Sequence, residues 1–184
     1  MAASKPTQTP LPMPLDEVFR QYSVAKLNQY YERIEFCVGK LSEEQLWMRT
    51  GKHANAAGNL LLHLTGNVQQ WIQTSIDGQE DVRDRDGEFA AREGAEAPEL
   101  LAALRTVLDG AIAVIESVPT ERLMDRITVQ GHDVTVLEAI YHVVEHFSGH
   151  TGQIIFMTKA FTGEDLGFYR YLAGGGESAA DQTP

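Results

Sequence analysis

Cysteine is nearly missing from this chain: Cys37 is the only one in 184 residues. No intramolecular disulfide can form, and a cysteine-rich zinc site is excluded. Within Ile34-Glu-Phe-Cys-Val38, Cys37 reads as a small buried residue rather than a reactive thiol. Positive charge is also scarce, with 15 Lys and Arg against 26 Asp and Glu and a formal net charge of −11. That balance argues against general affinity for nucleic acid or for an anionic membrane surface. No uninterrupted apolar run approaches the ~20 residues that a transmembrane helix needs. The segment Met1–Pro10 lacks the apolar core of a secretory signal. A cytoplasmic protein of one domain is the expectation.

What the chain does have is helical patterning. Pro6, Pro10, Pro12 and Pro14 mark an extended lead-in over residues 1–14. One helical unit is expected over 15–172, and Gly174, Gly175 and Gly176 lie near the start of a flexible tail over 173–184. From Leu15 to Val38 the residues Val18, Tyr22, Leu27, Tyr30, Tyr31 and Ile34 recur at helical spacing, with Gly39 as a stop. Ser42 and Gln45 form a capping box that opens a short helix carrying Leu46 and Trp47. A second long helix is expected from Asn55 to about Ile76, burying Leu60, Leu64, Asn67, Val68 and Trp71. The charged stretch 79–97 reads as a loop with one short helical turn. Pro98 opens a third long helix, faced by Leu101, Leu104, Val107, Leu108, Ala111, Ile115 and Val118. The β-branched residues around Gly131, from Ile127 to Val134, predict a small hairpin. A second capping box, Thr135 with Glu138, starts the last long helix, which runs to about Phe161. The expected fold is all-α: a four-helix bundle with a long crossover between its second and third helices and a small β-hairpin before the fourth.

Three histidines carry the chemistry. His146 and His150 are one turn apart and project from the same side of the last helix. They share a stripe with Ala139, Val143, Ile154 and Met157, which predicts an inward position. His63 belongs to the buried stripe of the second long helix. Burying three imidazoles without a shared partner leaves unsatisfied polar groups, each costing about 1–3 kcal/mol. A cation removes that cost, because neutral imidazole donates a lone pair to it. The spacing is less specific than the His-Glu-x-x-His signature of zinc proteases. His142 precedes His146 by four residues, yet successive four-residue steps drift around a helix by about 40°, which places it beside the ligands rather than among them. His53 and His132 fall in loop-like settings and are expected to be solvated. Glu145 points about 100° away from His146.

Asn59, Asn67 and Gln153 lie next to or one turn from a ligand; their side chains either bond the ligands or tie helices together. Trp47, Trp71, Tyr141 and Tyr169 are either pocket walls or core. Arg83 and Arg85 read first as a solvated charge run, with recognition of an anionic substrate as the functional alternative. Trp47, Arg83 and Arg85 are therefore the candidate substrate-pocket residues.

His63, together with His146-Phe-Ser-Gly-His150-Thr-Gly-Gln153, resembles the DinB-like (DinB/YfiT) superfamily of metal-dependent four-helix bundles over roughly residues 15–162. The resemblance implies that His63, His146 and His150 are metal ligands, that the remaining coordination positions stay open to water or substrate, and that the protein is a homodimer. It further implies a metal-dependent thiol S-transferase, using a low-molecular-weight thiol, or a hydrolase. Zinc and nickel suit imidazole ligands best, with iron or manganese as further options. The competing expectation is a non-catalytic, metal-stabilised bundle acting in stress response or protein interaction; a closed site with a fourth ligand such as His142 would favour it. A haem or di-iron bundle is a third, weaker expectation, since Glu138-Ala-Ile-Tyr141 lacks the histidine that a Glu-x-x-His pair requires.

Overall fold

The capping signals become helices where the sequence places them. The computed structural model describes residues 13–170, so the lead-in and tail expected over 1–14 and 173–184 lie outside the described residues except for residues 13 and 14. Helix α1 spans Leu15–Val38 and ends at Gly39. Leu27, Tyr31, Ile34 and Val38 are its buried face, whereas Val18 and Tyr22, counted in the apolar pattern, are exposed. Helix α2, Glu43–Trp47, starts on the Ser42 capping box, in which Ser42 Oγ accepts from Gln45 N and Ser42 N donates to Gln45 Oε1.

Helix α3 covers Ala57–Val68 and continues without a break as a π-helical segment over Gln69–Thr74. The expected 55–76 helix is thus two geometries in one rod. A wider turn every five residues leaves the apolar pattern nearly intact, which is why helical spacing alone does not reveal it. The crossover holds one short helix, α4 (Arg85–Ala90), capped by the Asp84 side chain accepting from Gly87 N. Helix α5, Ala97–Ser117, carries Pro98 in its first turn and buries Leu100, Leu104, Leu108, Ala111 and Ile115. Leu101 and Val107 of the expected face are half-buried instead.

The predicted hairpin forms from β1 (Arg126–Val129) and β2 (His132–Thr135), paired antiparallel with Val129 opposite His132. Gln130 and Gly131 both have positive φ (51° and 81°), the requirement of a two-residue type I′ turn. Strand β2 runs directly into α6, Val136–Thr162, through the Thr135–Glu138 capping box. Gly163 closes α6 in the left-handed conformation at φ 70°.

The four long helices α1, α3, α5 and α6 make the bundle. Helix α1 packs on α5 and α6, and α3 packs on the same two, so α1 and α3 occupy opposite corners. The core between them is apolar and includes the fully buried Phe147, Leu27, Ile34, Leu64, Leu104 and Ile140. Cys37 is buried within it, and desolvation pushes its thiol pKa up, as expected of an inert cysteine. Among the described residues, no helix is long and apolar enough to cross a membrane.

Candidate metal centre

His63 leaves α3 towards α6 at a point where the surrounding positions, Leu60, Leu61 and Leu64, are core. The ring is itself buried. His146 and His150 face it from α6, although not from the middle of the buried face as the stripe suggested. That centre is taken by Phe147, Thr151 and Ile154, and the two histidines lie half-buried along its edge. The displacement matters, because an edge position leaves one side of the cluster open. One donor atom from each of His63, His146 and His150 falls within 4.8 Å of the other two. The ring centroids are 4.9 Å (63–146), 5.0 Å (63–150) and 4.4 Å (146–150) apart, each pair tilted edge to face.

Hydrogen bonds decide which nitrogens face inward. His63 Nδ1 lies 2.9 Å from Glu88 Oε2 and 3.1 Å from Arg83 Nη2; Arg83 already donates to both Glu88 oxygens, so the shorter contact, to a carboxylate that only accepts, assigns the proton to Nδ1 and leaves Nε2 its lone pair. His150 Nδ1 lies 2.7 Å from Gln153 Oε1 and is assigned a proton by the same logic. His63 Nε2 then approaches His146 Nε2 to 2.9 Å. Two lone pairs cannot meet at that distance without something electropositive between them: the His146 proton or a cation. Nitrogens held ~2.1 Å from one ion are about 3 Å apart at a right angle and about 3.4 Å apart at the tetrahedral angle, so this pair lies within about 0.5 Å of the spacing of two adjacent metal ligands. Burial, followed by the neighbouring His150, His63, His142 and Arg83, lowers the His146 pKa to about 3. Burial likewise lowers that of His150. Neutral imidazoles with free lone pairs are the form that binds a metal.

Glu88 is the residue that sequence reasoning missed. It is buried on α4, where Arg83 grips it with Nε to Oε1 at 2.7 Å and Nη2 to Oε2 at 2.9 Å. Burial alone would raise its carboxyl pKa, but hydrogen bonds from Arg83 and His63 outweigh that and hold it below the usual value. Gly66, one turn before Gln70 on α3, makes room for the pair: a Cβ there would collide with the Glu88 carboxylate and touch Arg83. Arg83 is therefore neither solvated nor free to bind an anion, contrary to the charge-run reading. The local signal was a lone pair of opposite charges five residues apart in a segment with no periodicity, and nothing in sequence distinguishes it from the surrounding surface charges.

Asn59 and Arg49 anchor this short helix. Asn59 Nδ2 donates to the carbonyls of Glu88 and Ala91, both at 2.9 Å, and Asn59 Oδ1 accepts from Arg49 and from Ala56 N. Asn59 is thus a tie between segments, not a neighbour of the imidazoles.

The remaining candidates separate cleanly. His142 is not one of the three but lies beside them, half-buried, its ring stacked 5.4 Å from that of His146 and 4.0 Å from that of Trp71. A cavity of about 450 Å³ opens beside the cluster, lined by His63, His142, His146, Asn67, Trp71 and Arg85, together with residues of the hairpin. Trp47 stands elsewhere, against Gly58, and lines a different cavity with Glu43 and Arg92. Tyr141 and Tyr169 are exposed, as are His53, His132 and Glu145.

Comparison with known proteins places the chain in a family. A family model described as "Protein of unknown function (DUF1572)" matches residues 16–171. Among solved structures, a DinB-like protein from Bacillus subtilis, YjoA, superposes with a TM-score of 0.61 at 16% identity, over 80% of this chain and 97% of that one. A DinB-like protein from Bacillus cereus gives 0.62 at 13% identity, over 77% and 91%. A conserved protein from Enterococcus faecalis gives 0.63 at 17% identity, over 78% and 97%. At these identities the likeness is one of fold. No curated protein matches the chain in sequence.

Proposed function

Because this chain belongs to the DUF1572 family and has the DinB-like fold, we propose that it is a divalent-metal-binding protein whose centre is His63, His146 and His150, and that the centre is catalytic. The observation that carries the reading is the convergence of three imidazole donors within 4.8 Å while Glu88 and Gln153 engage the far nitrogens of two of them. Outer partners of this kind fix the tautomer and the ring orientation of a metal-ligating histidine. Zinc or nickel suits three imidazoles best, with iron or manganese as alternatives.

A divalent ion held by three neutral ligands keeps its full charge and acts as a Lewis acid that lowers the pKa of a water or thiol binding beside them. This chain supplies the rest. Glu88 holds the His63 proton on Nδ1, Arg83 balances the Glu88 charge, and Gln153 orients His150. His142 stays outside the ligand set, and the cavity beside His63 and His146 gives a small molecule access. An open edge supports an enzyme over a closed structural site. The reaction class we assign is transfer of a low-molecular-weight thiol to an electrophile, with hydrolysis as the variant in which water takes the place of the thiol. The homodimer implied by the family resemblance is tested by light scattering on the purified protein.

Elemental analysis of the wild type beside His150→Ala tests the centre. About one equivalent of metal is expected in the wild type and a large loss in the variant; equal metal in both sinks the proposal. Thiol consumption against a chlorinated aromatic or an epoxide then tests turnover, and inactivity with several thiols would leave a metal-binding protein without this reaction.

A further inference from the structure

The cavity beside the imidazoles carries an unspent positive charge. Arg85 lines it and has no carboxylate partner among the described residues; its guanidinium lies 5.1 Å from the centre of the Phe89 ring. Phe89 in turn packs 4.7 Å from the His63 ring, so one aromatic side chain connects the arginine to the cluster. The acids that share the cavity are already engaged. Asp133 pairs with Arg126 at 2.7 Å, and Glu138 is consumed in the capping box, accepting from Thr135 N at 2.6 Å.

Two further residues of the wall are more than nine-tenths buried and have a polar atom with no hydrogen-bond partner among the described residues: Asn67 through Oδ1 and Trp71 through Nε1. Buried polar atoms are ordinarily paired; of these two only Trp71 Nε1 is a donor, the kind of atom that an anion satisfies. In a chain of net charge −11, Arg85 stands exposed at this wall with Asp133 offset by Arg126 and the Glu138 carboxylate turned to Thr135, so it presents the wall's unpaired positive charge to an anion.

The geometry points to Arg85 as the specificity-determining residue of this cavity, selecting a small carboxylate-bearing ligand whose other end reaches the three histidines. A carboxylate is favoured over a phosphate because one guanidinium balances its single charge as well as meeting both of its oxygens. The cavity, at about 450 Å³, limits the ligand to a small molecule. This inference rests on the metal reading only for what the far end of the ligand meets; recognition of the carboxylate belongs to Arg85 itself.

The test uses 3-mercaptopropionate and its neutral amide, which share a thiol and differ in the carboxylate. Each is titrated into the zinc-loaded and the metal-free full-length protein while the indole N–H resonances are followed by NMR. Trp71 is the reporter and Trp47 the internal control. The acid is expected to shift Trp71 with about tenfold higher affinity than the amide, and Arg85→Gln is expected to remove that preference without changing zinc content. Arg85→Lys, which keeps the charge but loses the fork, should retain part of it. Equal binding of acid and amide by the wild type overturns the proposal, as does a preference that survives in Arg85→Gln. If the protein takes up no zinc but still prefers the acid through Arg85, the metal reading falls and the carboxylate site stands.

Discussion

At the scale of single residues, the proposed centre would depend on side chains outside its three histidines. Glu88 sits behind His63, and its carboxylate is what makes Nδ1 the protonated nitrogen. Glu88→Gln keeps the size of the side chain but leaves the buried Arg83 guanidinium without its counter-charge. Metal affinity is expected to fall by about 10–100-fold, the usual cost of losing an outer partner of a histidine ligand. Competition with a chromogenic chelator measures this directly, and unchanged affinity would show that Glu88 serves the fold alone. Gly66→Ala attacks the same contact from the other side. Its added methyl would occupy space held by the Glu88 carboxylate, which Arg83 and His63 lock in place. The variant should therefore weaken metal binding without altering a ligand or a charge. These two residues also mark where sequence reading stopped. Three histidines on two amphipathic helices are visible through their periodicity, whereas a carboxylate in a crossover is visible only once the chain brings it within 2.9 Å of an imidazole.

At the scale of elements, α4 is a module fastened to α3 by polar bonds more than by apolar packing. Asn59 bonds the carbonyls of Glu88 and Ala91, and Arg49 Nη2 bonds those of Phe89 and Ala91 at 2.7 and 3.1 Å. Removing Asn59 takes away the side-chain partner of the buried Glu88 carbonyl and of the buried Ala56 N–H, so Asn59→Ala is expected to cost about 2 kcal/mol in urea denaturation. Hydrogen exchange should accelerate selectively over residues 85–91, because a short helix without its anchor opens before the bundle does. Uniform acceleration across α3 and α6 would show instead that α4 is part of the global unit. Most elements were legible because their ends carry chemistry that local rules read: Ser42 with Gln45, Thr135 with Glu138, Pro98, Gly163 and the Gln130–Gly131 turn. The π-helical segment over Gln69–Thr74 was not, since one inserted residue per turn changes hydrogen-bond partners without erasing the apolar pattern. It puts Trp71, Ile72 and Gln73 in buried positions, and Trp71 in the wall of the cavity beside the cluster.

At the scale of the whole molecule, the question is whether a metal holds the bundle together or only occupies it. The core is apolar, spans all four long helices and contains none of the three imidazoles at its centre, since Phe147, Thr151 and Ile154 hold that line of α6. The metal-free protein is therefore expected to stay folded, with helical circular dichroism unchanged after chelation. An ion that binds only the folded state nevertheless stabilises it, by about 4 kcal/mol at a concentration a thousandfold above its Kd. In a chain of this size each kcal/mol moves Tm by roughly 2–4 °C, so saturating metal should raise Tm by on the order of 10 °C. The shift should grow with metal concentration, reverse with chelator and vanish in His150→Ala. Loss of helical signal on chelation would give the ion a folding role that the core does not require. A wild type with no shift at any metal concentration would sever the three histidines from the stability of the fold altogether.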